Sequence, residues 1–163
     1  MLFLQHFCEM LYQSSFGTML RESNNAFSVI ESIHVLSITL LVGTIAILDL
    51  RMIGLILRSV SVRRVARSVL PLSWSGFAVS VASGFLLFWA EAAKMYVNPS
   101  FRTKLVLLVL AGFNALIFHT AVYSHAQEWE QQHISPWQAR VTAIASLTLW
   151  GGVIVAGRAI AYF

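Results

Sequence analysis

Four long apolar runs dominate the chain, at about 26–50, 70–92, 103–125 and 140–162, each bounded by charged residues, prolines or both. About twenty apolar residues in a helix span the ~30 Å hydrocarbon core of a bilayer, so each run predicts one membrane crossing. Turn signals separate them. Pro71 falls near the start of the second helix, where its missing N–H costs nothing. Asn98-Pro99 breaks the chain before the third helix, and Ser135-Pro136 before the fourth. Short connections make successive helices antiparallel neighbours, which predicts an all-α integral membrane protein, an up-down four-helix bundle.

Ahead of the bundle, Met1 to Leu20 places Leu4, Phe7, Cys8 and Leu11 on one helical face, with Gln5, Glu9 and Gln13 elsewhere. It has neither the positive start nor the small-residue cleavage site of a secretory signal. The pattern predicts a short interfacial helix, with an irregular N-terminus as the bland alternative. The expected organisation is a segment over 1–25 and a four-helix domain over 26–163. Whether the segment docks on the bundle or on another protein stays open.

Composition reinforces the membrane reading. Of 163 residues, 58% are hydrophobic and 11% charged, whereas a soluble domain averages ~25% charged. So few charges cannot cover a water-facing surface, which leaves almost no room for a soluble enzyme. The formal charge of +4 comes from 11 basic residues that lie beside spans and act as topology signals, with no aromatic–basic interleaving to bind nucleic acid. Arginines 51, 58, 63, 64 and 67 fill one loop with no acid among them, and Arg140 joins that side. Arg21, Lys94, Arg102 and Lys104 stand on the other. By the positive-inside bias the 51–67 loop is cytoplasmic and both termini are outside, periplasmic in a Gram-negative host. Trp74, Trp89 and Trp137 fit an interfacial belt; Trp150 lies deep, as core or as a cofactor wall. Gly76, Ser80 and Gly84 on the second helix, and Gly152 with Ala156 on the fourth, are spaced for close helix contact. The single cysteine, Cys8, excludes an internal disulfide, covalent haem attachment and a Cys-rich zinc site.

Ionisable groups inside spans are costly and therefore mark candidate sites. Glu31, His34 and Asp49 share one side of the first helix. Arg158 is at the membrane level of Glu31, with Glu91, Arg102 and Lys104 at the same end, so a buried cluster of Glu31, His34 and Arg158 is expected there. Its bland reading is a Glu31–Arg158 ion pair that fixes register. Asp49 and Arg51 form a boundary pair at the other end, unless Asp49 anchors the arginine loop. On the third helix Asn114 can bond across helices, and His119 sits beside small residues that suit a flat cofactor or, equally, a close helix crossing in which the imidazole bonds a neighbour. His125 reads as wet. A Glu-x-x-H step such as Glu31–His34 also occurs in di-iron bundles, but the second motif and further glutamates are missing. Two histidines on facing helices suggest a b-type haem between His34 and His119. Their depths differ by roughly 7 to 18 Å along parallel helices, which argues against both ligating one haem.

A set of motifs resembles a known family. They are E-x-x-H at 31–34, G-T-I-x-x-x-D-L-R-x-x-G at 43–54, P-L-S-W-S-G-F at 71–77, N-P-S-F-R-T-K at 98–104, A-G-F-N at 111–114, F-H at 118–119 and A-G-R-A-I-A-Y at 156–162. Together they are similar to a bacterial four-helix inner-membrane family catalogued as a domain of unknown function, over about 26–163. The resemblance implies a bacterial inner-membrane location and emphasises Glu31, His34, Asp49, Arg51, Arg102, Lys104, Asn114, His119 and Arg158. In size and helix number alone the chain is also similar to b-561-type cytochromes and copper-resistance membrane proteins, and architecture does not fix function.

Two functions from different classes stand. The first is a membrane redox protein with haem b on His34 or His119, propionates on Arg158, Arg102 or Lys104, and a quinol or partner protein as electron partner. The second is a non-redox transport or assembly subunit, with a homo-oligomer as one expected form and the Glu31–His34–Arg158 cluster proton-coupled or structural. Copper handling ranks third, for want of paired thioethers. A hydrolase is disfavoured, because no nucleophile elbow, phosphate loop or zincin motif occurs.

Overall fold

The computed structural model describes residues 2–124 and 136–162. Its helices are α1 (Leu2–Gln13), α2 (Ser15–Glu22), α3 (Asn24–Ile53), α4 (Val62–Ala90), α5 (Ala92–Val97), α6 (Pro99–Ile117) and α7 (Trp137–Ala159). A π-helical turn, Phe118–Tyr123, continues α6, and a 3-10 turn, Ile160–Tyr162, ends α7. No strand occurs among the described residues. The spans at Asn25–Ile53, Val62–Ala90, Pro99–Tyr123 and Trp137–Tyr162 are long and apolar enough to cross a membrane. His125 and Ser135 lie outside the described residues.

Local chemistry sets the helix ends. Ser23, Ser61 and Asn98 cap α3, α4 and α6 by accepting hydrogen bonds from the Ala26, Arg64 and Phe101 amides. Gly54 ends α3 at φ 86°, a left-handed position that favours glycine. The α4 helix starts eight residues before the expected position, so Pro71 lies inside it. The Ser61 cap nucleates the helix upstream, and the Arg67 carbonyl that Pro71 leaves unbonded lies on an exposed face, since both residues are exposed.

Three sides of the four-helix bundle are closely packed: α3 on α4, α3 on α7, and α6 on α7. The fourth side is different. Between α4 and α6 there is almost no close backbone approach. Those helices meet at their ends, through stacked Phe88 and Phe101 rings 5.5 Å apart and through a core of Leu48, Met52, Val65, Val69, Phe118 and Val122. The small-residue spacing on α4 explains its tight fit to α3: a Cβ on Gly76 would lie 3.0 Å from the Leu41 amide nitrogen.

The N-terminal helices dock on the bundle, which resolves the open question. Cys8 and Leu20 are buried. The Trp89 indole donates to Ser14 Oγ at 3.0 Å, and Phe16 meets its ring edge-on. The Arg21 guanidinium donates to the Tyr12 and Ala90 carbonyls. Phe3, Leu4, Phe7 and Met10 remain exposed, an apolar face suited to the bilayer boundary. Burial also pushes the Cys8 thiol above its ordinary range, because the thiolate loses its hydration.

Candidate functional site

Charged residues place the bundle along the membrane normal. Glu31 and Arg51 are twenty residues apart on α3, roughly 30 Å at the helical rise, which equals the hydrocarbon thickness. His34 is one turn inside the Glu31 level, and Asp49 half a turn inside the Arg51 level.

At the Glu31 end, His34 reaches from α3 into α4. Its Nδ1 is 3.0 Å from Ser83 Oγ. Ser83 Oγ is itself 2.6 Å from the Val79 carbonyl, to which it donates. A hydroxyl has one proton, so towards His34 this oxygen accepts and Nδ1 carries the hydrogen. Nε2 is therefore left with a lone pair. Gly84 makes the seat possible, since a Cβ there would lie 2.8 Å from His34 Cε1.

Lys104 enters the same end from α6. It is partly buried, and its Nζ lies 3.6 Å from where a Cβ on Gly157 of α7 would sit. Among the described residues no carboxylate pairs with it. His34 of α3 and Lys104 of α6 thus lie towards the same end of the bundle, one against Gly84 and the other against Gly157.

The other expected members are elsewhere. Glu31 and Arg158 are exposed, and no ion pair joins them. The expected buried Glu31–His34–Arg158 cluster is therefore not assembled: both charges stand at the headgroup level, where water and lipid solvate them more cheaply than burial would. Glu91 pairs with Lys94 at 2.8 Å. That carboxylate holds the Lys94 ammonium above its ordinary range, through the hydrogen bond first and the charge second. Arg102 donates to the Tyr96 carbonyl and lies over its ring. Asn98 Nδ2 donates to the Ile160 carbonyl, tying the start of α6 to the end of α7.

At the Arg51 end, Asp49 is buried with 4% exposure. Arg51 turns away from it and donates to the Val60 and Arg58 carbonyls, so the two are not a boundary pair. Asn114 donates to the Thr142 carbonyl at 3.1 Å, the cross-helix bond that its position implied. His119 lies in the π turn, edge-on to Phe118 and Tyr123. Phe118 packs with Leu48, fourteen residues beyond His34 on α3, so the two histidines are separated by roughly 21 Å along the normal. They are not brought together. No group of three His, Cys, Asp or Glu is close enough to hold a metal among the described residues.

Residues 8–163 match the model of a family of unknown function, DUF6644. The chain belongs to this family. The match begins within α1, so DUF6644 includes the docked N-terminal helices as well as the four spans. No curated protein and no solved structure matches the chain. The likeness to b-561-type cytochromes and copper-resistance proteins is thus one of size and helix number, and the roles of residues in this DUF6644 chain rest on their geometry.

Sequence reasoning missed Ser83 and Lys94. Ser83 adjoins the Gly76–Ser80–Gly84 face, but a serine in a span ordinarily bonds its own helix, as this one also does. Lys94 is three residues after Glu91, a neighbour spacing on a helix.

Proposed function

We propose that the protein is a small membrane redox protein that binds a b-type haem through His34 Nε2, with Lys104 as the partner of a propionate. One observation carries the reading: the Ser83 bond commits the Nδ1 hydrogen and leaves Nε2 a bare lone pair inside a bundle. A ligating histidine characteristically donates its other ring N–H to an oxygen that fixes tautomer and orientation. Lys104, towards the same end, has no carboxylate partner among the described residues and would be served by an anion, because a charge inside a span is costly without one. The loosely packed α4/α6 side can admit a flat group without parting closely packed backbones. Haem supplies one-electron chemistry when bound; the chain's residues hold it, orient it and exclude water. Electrons would pass to or from a quinol or a partner protein at the His34 end. The positive-inside bias of the arginine-rich loop supports an outer-side position for this end in a bacterial inner membrane.

The test is an absorption spectrum of the detergent-purified protein, produced with ample haem, oxidised and then reduced with dithionite. A Soret band near one haem per chain is expected, lost in His34→Ala and retained in His119→Ala. A featureless spectrum from folded protein, or a band that survives His34→Ala unchanged, sinks the reading. The non-redox alternative relied on a Glu31–His34–Arg158 cluster, and these three groups do not meet, so it has less support.

A further inference from the structure

The Arg51 end of the bundle holds an ionisable group that the haem reading does not use. Asp49 is 4% exposed, and its Oδ2 has no hydrogen-bond partner. The Ser146 hydroxyl of α7 lies within reach of the carboxyl. The surrounding core is apolar at this level: Leu48 and Met52 from α3, Val65 and Val69 from α4, Phe118 from the π turn and Ala143 from α7. None of these can titrate. Several ionisable groups among the described residues at this end are engaged or exposed. Arg51 is bonded to loop carbonyls, and His119 lies against Phe118 and Tyr123. Arg140, Arg64 and Arg67 are exposed, and no ion pair is made to Asp49 among the described residues.

A bare carboxylate in such a place is expensive: taking an ion out of water costs several kcal/mol unless a counter-charge and hydrogen bonds replace the hydration. Among the described residues neither does so at Oδ2. A metal ion would require more oxygen ligands than one carboxyl and one hydroxyl. A proton is the charge that fits. It neutralises the group on the oxygen that lacks a partner, while Ser146 can bond the carboxyl in either state. Asp49 is four residues from the end of α3, roughly 6 Å along the axis, so a proton has a short route to solvent.

We propose that Asp49 is a proton-binding site in the membrane interior, its carboxyl taking up and releasing a proton at the arginine-rich end of the bundle. The site is independent of any group bound at His34.

Asp49 is the only aspartate in the chain, so carbon-13 in the aspartate carboxyl gives a single resonance from the intact protein. In detergent or nanodiscs, the resonance is expected at its protonated position in mildly acidic buffer. It should move reversibly to the carboxylate position as the buffer is made basic, with the same midpoint in sodium and in choline salts. Three results overturn the proposal. One is a carboxylate resonance throughout; another is a protonated one that never titrates while the protein stays folded. The third is a midpoint that moves with sodium, which would make this a metal-ion site.

Discussion

A hydroxyl decides the chemistry of His34. Without Ser83 either ring nitrogen could carry the proton; with its own proton committed to Val79, Ser83 selects Nδ1–H. Gly84 acts by what it lacks. Gly84→Ala puts a methyl 2.8 Å from Cε1, and the ring, as the movable partner, must swing away and weaken its bond to Ser83. The expected outcome is a folded protein with altered or reduced haem absorbance, checked by comparing Soret position and haem per chain with wild type. An unchanged spectrum would mean that the ring is not held against α4. At the opposite end, Asp49 has no counter-charge among the described residues. The two residues share a helix, yet one has its hydrogen bonds arranged and the other has an oxygen without any.

Among the elements, α3 and α4 form the rigid pair. Gly76 lets the backbones touch, and the buried Thr44–Ser73 bond at 2.7 Å crosses the same seam; such interhelical bonds contribute about 0.6 kcal/mol each. The docked α1–α2 arm is held by fewer groups, chiefly Trp89 and Arg21. Trp89→Ala removes both the bond to Ser14 and the edge contact with Phe16, and should free the arm while leaving the spans intact. Cys8 reports this directly, being the only thiol. Alkylation should be slow in the folded protein at neutral pH, because burial blocks access and holds the thiol protonated. It should become several-fold faster in Trp89→Ala, measured by mass shift against time. Equal rates would show that the arm is held by something other than Trp89.

For the whole molecule, both ends of the described chain lie at one face. Arg21 bonds to the end of α4, and Asn98 to the end of α7. The arginine-rich loop is at the other face, so the bundle is polarised in charge. In a Cys8→Ser background, Lys94→Cys should react with a membrane-impermeant thiol reagent added outside intact cells, and Arg58→Cys should react only after lysis. The reverse pattern would invert the bundle and move His34 and Lys104 to the inner side.

Hydrophobic run length determined the four spans, because bilayer thickness and helical rise leave little choice, and the caps at Ser61 and Asn98 are short-range chemistry. The α4 start was less legible. Arginines in a first turn look like loop until the cap is seen to nucleate the helix through them. The sequence also marked His34, Lys104, Asp49 and Asn114 as worth attention, since polar groups in spans are rare. It could not say which of them meet. Periodicity places a residue on its own helix, but the relative rotation and packing of helices are set by side chains on several helices at once, such as Gly76 against Leu41. Only the tertiary structure separated Glu31 from Arg158, set His34 against Ser83, held the two histidines at opposite ends and buried Asp49 with an oxygen that has no hydrogen-bond partner.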